Sequence, residues 1–184
     1  MAFHRSLDNG ETWTTSRVMT LNGSCANAVA VHPADEKIIY VGGSSYWPNP
    51  TVFKSTNGGA GWADVTKTIK GIVTSLAIDP LSPKIVYAGT REGIFRSQNS
   101  GASWTRVFSS PQKYINRIRI NPGNPNEVFA CSELGVLMSA NRGLTWKAIA
   151  ADLDIRNVAW LDLDPNRRIL YAATVGGGIC KKEF

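Results

Sequence analysis

One eight-residue box recurs four times in the 184-residue chain, and it restricts the possible folds more than any other feature. The copies are Ser6–Trp13, Ser55–Trp62, Ser97–Trp104 and Ser139–Trp146. They share the form Ser-x-Asp/Asn-x-Gly-x-x-Trp, opened by Ser6, Ser55, Ser97 and Ser139. Each shared residue suits a tight turn. Asp8, Asn57, Asn99 and Asn141 have short polar side chains that can accept a backbone N–H further round the chain. Gly10, Gly59, Gly101 and Gly143 stand where such a turn needs a positive φ. Trp13, Trp62, Trp104 and Trp146 offer a ring to pack under the turn and an indole N–H that needs an acceptor. Every member thus has a structural task and none is a catalytic candidate. Asn replaces Asp in three of the four copies. That keeps the turn chemistry, removes the charge and argues against calcium.

The boxes set a register. Val73–Trp104 and Ile115–Trp146 align without a gap at a spacing of roughly 42 residues, a period that signals a repeat architecture. Within a unit, apolar residues alternate with period two, which predicts strands. Strand A covers Val73–Asp79, and an Asp-Pro-x-x-Pro turn follows at Asp79–Pro83. Strand B is Ile85–Thr90, strand C is Ile94–Ser97, and the box turns the chain into strand D, Trp104–Phe108. Four short antiparallel strands per unit of this length predict an all-β chain, a β-propeller of four-stranded blades.

The remaining units follow by superposition. Residues 1–18 supply strands C and D of one blade, at Ala2–Ser6 and Trp13–Arg17. Residues 26–66 form a blade with strands Ala28–Val31, Lys37–Gly42, Val52–Ser55 and Trp62–Val65. Residues 73–108 and 115–150 are the next two blades, and 156–184 an incomplete one with strands Ile169–Thr174 and Ile179–Lys182. About four blades are therefore expected in a single domain. Their ends do not close a ring, and an open arc leaves sticky faces. The expected partners are thus the remaining blades of a larger chain or a second copy.

Composition narrows the ligand class. The formal net charge is +6, but the basic residues are scattered except for pairs such as Arg167-Arg168 and Lys181-Lys182. A nucleic-acid footprint needs a clustered stripe, so a solvated surface is expected. Cys25, Cys131 and Cys180 form no CxxC and no close spacing, which predicts neither a disulfide framework nor a zinc site. No metal or cofactor is expected. No apolar run reaches membrane-spanning length, and repeat sequence starts almost at Met1 with no signal peptide before it.

The box closely resembles the BNR/Asp-box repeat. The Asp79–Thr90 segment fits it too, with weaker forms at His32–Gly43, Asn121–Ser132 and Asp164–Thr174. The resemblance covers nearly the whole chain and implies a propeller with its boxes on the periphery, away from the binding face. It constrains function far less, because the family spans sialidases, xyloglucanase-type glycoside hydrolases, sortilin-like receptors and photosystem assembly factors. The repeat rhythm is most similar to xyloglucanase-type and uncharacterised bacterial repeats, and an extracellular or periplasmic parent is expected.

In an antiparallel meander the A–B and C–D turns share one edge, while the B–C turns and D–A connections share the other. Binding in propellers uses the second edge. Three sets of candidates fall there. Tyr40 to Ser55 is longer than Tyr87 to Ser97 by an insertion, Ser44-Ser45-Tyr46-Trp47-Pro48-Asn49-Pro50. Tyr46 and Trp47 give flat faces suited to a sugar ring or a protein partner, unless they fold back onto a neighbouring blade. Tyr114, with Lys113 beside it, precedes strand A of the next-but-one blade. On the A strands, Ala28, Ser75, Arg117 and Trp160 superpose, as do Ala30, Ala77, Arg119 and Asp162. Arg119 and Asp162 are expected to pair between blades. Otherwise Arg117 and Arg119 form an anion-binding wall.

Catalysis is the less favoured reading. A glycosidase needs two carboxylates roughly 5–9 Å apart, and Glu92, Glu133, Asp154 and Asp162 are the acids near the edge. They do not make a demonstrated pair. No sialidase arginine cluster is present, and neither His4 nor His32 joins a triad. The expectation is a non-catalytic module binding carbohydrate or protein. The alternatives are a piece of a xyloglucanase-like glycoside hydrolase and a structural scaffold.

Overall fold

The computed structural model describes residues 1–18, 24–46, 49–110, 113–149 and 157–184. Among them every regular element is a β-strand, arranged in five antiparallel sheets. The first sheet pairs β1 (Ala2–Arg5) with β2 (Thr14–Arg17). The second has the order β3 (Ser24–Val31), β4 (Ile39–Ser45), β5 (Asn49–Ser55), β6 (Ala63–Asp64). The third runs β7 (Val73–Ile78), β8 (Val86–Thr90), β9 (Gly93–Ser97), β10 (Thr105–Ser109). The fourth runs β11 (Ile115–Ile120), β12 (Val128–Ser132), β13 (Gly135–Ser139), β14 (Lys147–Ala148). The fifth holds β15 (Val158–Asp164), β16 (Ile169–Thr174) and β17 (Gly178–Glu183). Each sheet is a meander of sequence neighbours, the blade of a β-propeller. The A strands β3, β7, β11 and β15 contact one another in that order, so they line the inner side of the arc.

Three details differ from the sequence expectation. Strand D begins one residue after each tryptophan, because the indole is committed to the turn rather than to the ladder. Every A–B ladder carries a bulge at the same rung, skipping Asn27, Thr74, Asn116 and Ala159. A bulge kinks the strand and frees one side chain from the alternating pattern. That freed side chain clamps the next blade. Asn27 Nδ2 donates to Val73 O (3.1 Å), Thr74 Oγ1 to Ile115 O (2.6 Å), and Asn116 Nδ2 to Val158 O (2.8 Å). Finally, the inserted segment before β5 is largely ladder, with Ser44 opposite Pro50 and Ser45 opposite Asn49. The insertion lengthens the β4–β5 hairpin beyond the B–C edge. Trp47 and Pro48 lie outside the described residues.

The core is a series of joints between blades. Tyr40 and Val52 of one blade pack with Val73, Leu76, Val86, Phe95 and Trp104 of the next. Tyr87 and Ile94 then meet Ile115, Ile118, Val128 and Leu137. Phe129 and Val136 meet Val158, Leu161 and Leu170. Each large apolar side chain buried in this way contributes about 1.5–3 kcal/mol, so the arc is held by its joints as much as by its ladders.

The box forms the same network four times. The serine Oγ accepts the glycine N–H at 2.7–2.9 Å and donates to the Asp or Asn Oδ1. That Oδ1 also accepts an N–H four residues on, from Thr12, Gly61, Ser103 or Thr145. Two successive residues take positive φ: Asn9 and Gly10, Gly58 and Gly59, Ser100 and Gly101, Arg142 and Gly143. The second lacks a side chain for a packing reason as well. A Cβ on Gly143 would stand 2.5 Å from Tyr87 Cε1, and one on Gly59 2.7 Å from Phe3. The tryptophan N–H finds a different acceptor in different copies. Trp13 and Trp146 donate to their own box glycine carbonyls, and Trp104 to Val65 O in the preceding blade.

Candidate functional site

The site residues hang on two rungs of the A strands and on the loops at the B–C/D–A edge. The bulge sets the upper rung, because the residue after it faces the inside of the arc. There Ala28 and Ser75 are small, while Arg117 and Trp160 are large. The Arg117 guanidinium sits over the Trp160 ring, its Cζ 3.7 Å from the ring centroid. Half of Trp160 remains open to solvent, at 50 % exposure. Burial, and then the neighbouring Arg119 charge, push the Arg117 guanidinium below its ordinary value, against the pull of Asp162.

On the rung below, Arg119 Nη2 sits 3.3 Å from Asp162 Oδ1, and its Nε donates to Leu161 O (3.4 Å). Arg119 is therefore tied to the next blade by charge and by backbone. An open groove of about 430 Å³ runs along these strands towards the A–B turns, between Val29, Ala77, Arg119 and Asp162. The four A–B turns at its far end are built alike. Asp79, Asn121 and Asp164 each accept a backbone N–H two residues on, and His32 Nδ1 does the same for Ala34 N. His32 is a turn residue, and His4 on β1 bonds Thr15 Oγ1.

At the mouth, Tyr46 occupies the tip of the long β4–β5 hairpin, 54 % exposed and at φ 41°. Tyr114 is half-buried, with the Arg91 guanidinium 5.4 Å from its ring centroid. Lys113 Nζ pairs with Glu133 Oε2 at 3.0 Å, joining a D–A connection to the B–C turn of the same blade. Glu92 packs its stem against Gly71. Asp154 lies outside the described residues. Glu133 and Asp162, two of the candidate acids, are thus engaged by cations. Among the described residues no group of three or more His, Cys, Asp or Glu is placed to hold a metal, and no helix is long and apolar enough to cross a membrane.

The sequence brought Arg117, Arg119, Trp160 and Asp162 to one wall. It missed the cation–π stack of Arg117 on Trp160 and the role of Arg91. The superposed rungs Arg117 and Trp160 were the available signal for the stack.

No family model and no curated protein sequence matches the chain. Solved structures do. The crystal structure of an ancestral GH74 enzyme is 30% identical over 92% of the chain, with a TM-score of 0.74. The GH74 xyloglucanase from Xanthomonas campestris is 17% identical over 80% of the chain, at a TM-score of 0.63. A nidogen/laminin complex is 14% identical over 95% of it, at 0.67. The chain spans about a quarter of the two GH74 structures, 24% and 26% of their lengths. Together with the five meander sheets, these similarities show an all-β propeller arc, similar in fold to a segment of the GH74 structures.

Proposed function

We propose that the chain is an Asp-box propeller segment that binds a neutral polysaccharide of the β-glucan or xyloglucan class across the mouth formed by its B–C turns and D–A connections. The observation that carries this reading is the extended β4–β5 hairpin, which holds Tyr46 out from the blade edge with its ring exposed. The half-open Trp160 ring offers a second flat face on the inner wall. Sugar C–H faces stack on such rings. A neutral glycan suits the wall better than an anion does, because Arg119 is paired with Asp162 and Arg117 sits over Trp160. The similarity to GH74 enzymes supports the ligand class. The engagement of Glu133 and Asp162 supports binding over cleavage.

Affinity electrophoresis in gels containing xyloglucan tests the proposal. The chain should be retarded by xyloglucan and not by a polyuronate, and Tyr46→Ala with Trp160→Ala should remove most of the retardation. Unchanged mobility of the wild type would overturn it. The 30% identity to a GH74 enzyme favours a second reading, in which the chain is part of a hydrolase and supplies one of its catalytic acids, Glu92, while the other lies elsewhere. Reducing-sugar release by the full-length gene product, lost on changing Glu92 to Gln, would support that reading instead.

A further inference from the structure

The D–A connection after β6 meets the outer strands of the next blade and leaves a recess of about 290 Å³ between them. Thr68 and Lys70 line it from the connection, and Phe95, Trp104 and Arg106 line it from the third sheet. Local chemistry fixes the connection. Asp64 Oδ1 accepts the Thr66 N–H (2.8 Å), and Ile69 N donates to Thr66 O (3.1 Å). Lys67 closes this turn at φ 49°, a left-handed conformation that a lysine rarely adopts and that recurs at ligand clamps. Ile69 is buried in the joint between the two blades, while Thr68 and Lys70 on either side of it stay exposed. The two walls are bonded to each other. Thr68 Oγ1 donates to Trp104 O (2.8 Å), and Trp104 Nε1 donates to Val65 O (2.9 Å). Phe95 and Trp104 make a buried apolar floor. Arg106 stands opposite Phe95 on the β9–β10 ladder, so its exposed side chain shares that face of the sheet.

The fold does not require the two cations. One repeat later the chain has Gln112 in place of Lys70, Ala148 in place of Arg106 and Leu137 in place of Phe95. That joint still packs, with Leu137 in its core and Trp146 against it. Nor does a neighbouring acid explain the charges. Among the described residues neither Lys70 nor Arg106 has an ion-pair partner. Asp64 caps Thr66, and Glu92 packs its stem on Gly71. Two uncompensated charges thus stand at the rim of a preformed recess.

We infer that this recess binds a phosphate group between Lys70 and Arg106. The guanidinium fork of Arg106 takes two phosphate oxygens, and the Lys70 ammonium adds a compact point charge. Two cations with no acid between them match a dianion better than a single carboxylate. The Thr68 hydroxyl proton is committed to Trp104 O, so recognition falls to the two cations. The bonds across the joint hold the site open without ligand, which lowers the cost of binding. The site shares no residue with the proposed glycan mouth and does not rest on that reading.

An NMR titration of the 184-residue chain with inorganic phosphate and with phenyl phosphate, at constant ionic strength, tests this. The amides of Lys70 and Arg106 and the Trp104 indole N–H should shift and saturate, with Trp146 unmoved. Lys70→Gln and Arg106→Ala, the residues found one repeat later, should each weaken binding by at least about tenfold. Their thermal midpoints should match the wild type, because both side chains are exposed. If Arg106→Ala fails to fold, Arg106→Gln replaces it. Tighter binding of phenyl phosphate supports the inference and assigns the group to an esterified partner. Equal affinities support it and assign the free ion. Shifts that never saturate, that chloride reproduces, or that persist in the double variant overturn it.

Discussion

At the scale of single residues, the box shows how one turn can serve four blades with different strictness. Gly101 and Gly143 are both at positive φ, but a Cβ on Gly101 would lie 3.4 Å from Tyr40, against 2.5 Å from Tyr87 for Gly143. Gly143→Ala should therefore cost clearly more stability than Gly101→Ala, the first adding an overpacking penalty of about 1–3 kcal/mol to the shared backbone strain. Urea midpoints of the two variants measure the difference. Asp8 is the one acid among the four Asx residues. The Thr12 hydroxyl, then the Thr12 N–H and Ser6, hold its carboxyl down to about 2. A lowered folded value stabilises the fold above the ordinary carboxylate range, and that contribution is lost as pH falls towards 2. An NMR titration should find the Asp8 midpoint near 2, and Asp8→Asn should remove this acid-side sensitivity. The box chemistry was legible from residue types alone, because a Ser, an Asx and a Gly at fixed spacing satisfy one another locally. The acceptor for each tryptophan N–H was not, because Trp104 reaches Val65 O in another blade.

At the scale of elements, the A-strand bulge joins local structure to packing. It lifts Asn27, Thr74 and Asn116 out of the alternating pattern and lets each bond the next blade. Asn116→Ala should cost about 1 kcal/mol through the lost bond, and up to about 3 if Val158 O is left buried and unpaired. Amide exchange in β15 should rise with it, which a purely local change in β11 would not cause. The sequence hid this device because a bulge leaves no compositional mark, and Asn, Thr and Asn read as ordinary polar alternation. The same blindness affected the insertion. A longer stretch rich in Ser and Pro read as a stiff loop, yet pairing at Ser44 and Ser45 extends the ladder and places Tyr46 at its tip. Element identity followed from periodicity. Register did not, because it depends on cross-strand partners.

At the scale of the molecule, stability is spread over consecutive joints, as in other repeat proteins. The joint built by Tyr87, Ile94, Ile115 and Ile118 lies between two complete blades and is closed on both sides. The sheet of β1 and β2 has one partner blade and should exchange first. Cys131 reports on the interior. Burial pushes its thiol up to about 12, while Cys25 is exposed. A thiol reagent at neutral pH should label Cys25 quickly and Cys131 only under unfolding conditions. The propeller arc and its inner wall were readable because repeats superpose. The identity of the ligand was not, because that wall differs from blade to blade and only geometry shows which cations are already engaged. The central claim is glycan binding at the B–C/D–A mouth. An NMR titration with a xyloglucan oligosaccharide tests it most directly, read at the Tyr46, Tyr114 and Trp160 signals with the box indoles as internal controls. Saturable shifts at these three residues, with Trp13 and Trp146 unmoved, are the predicted result. Shifts confined to the box tryptophans, or none at any ring, would contradict it.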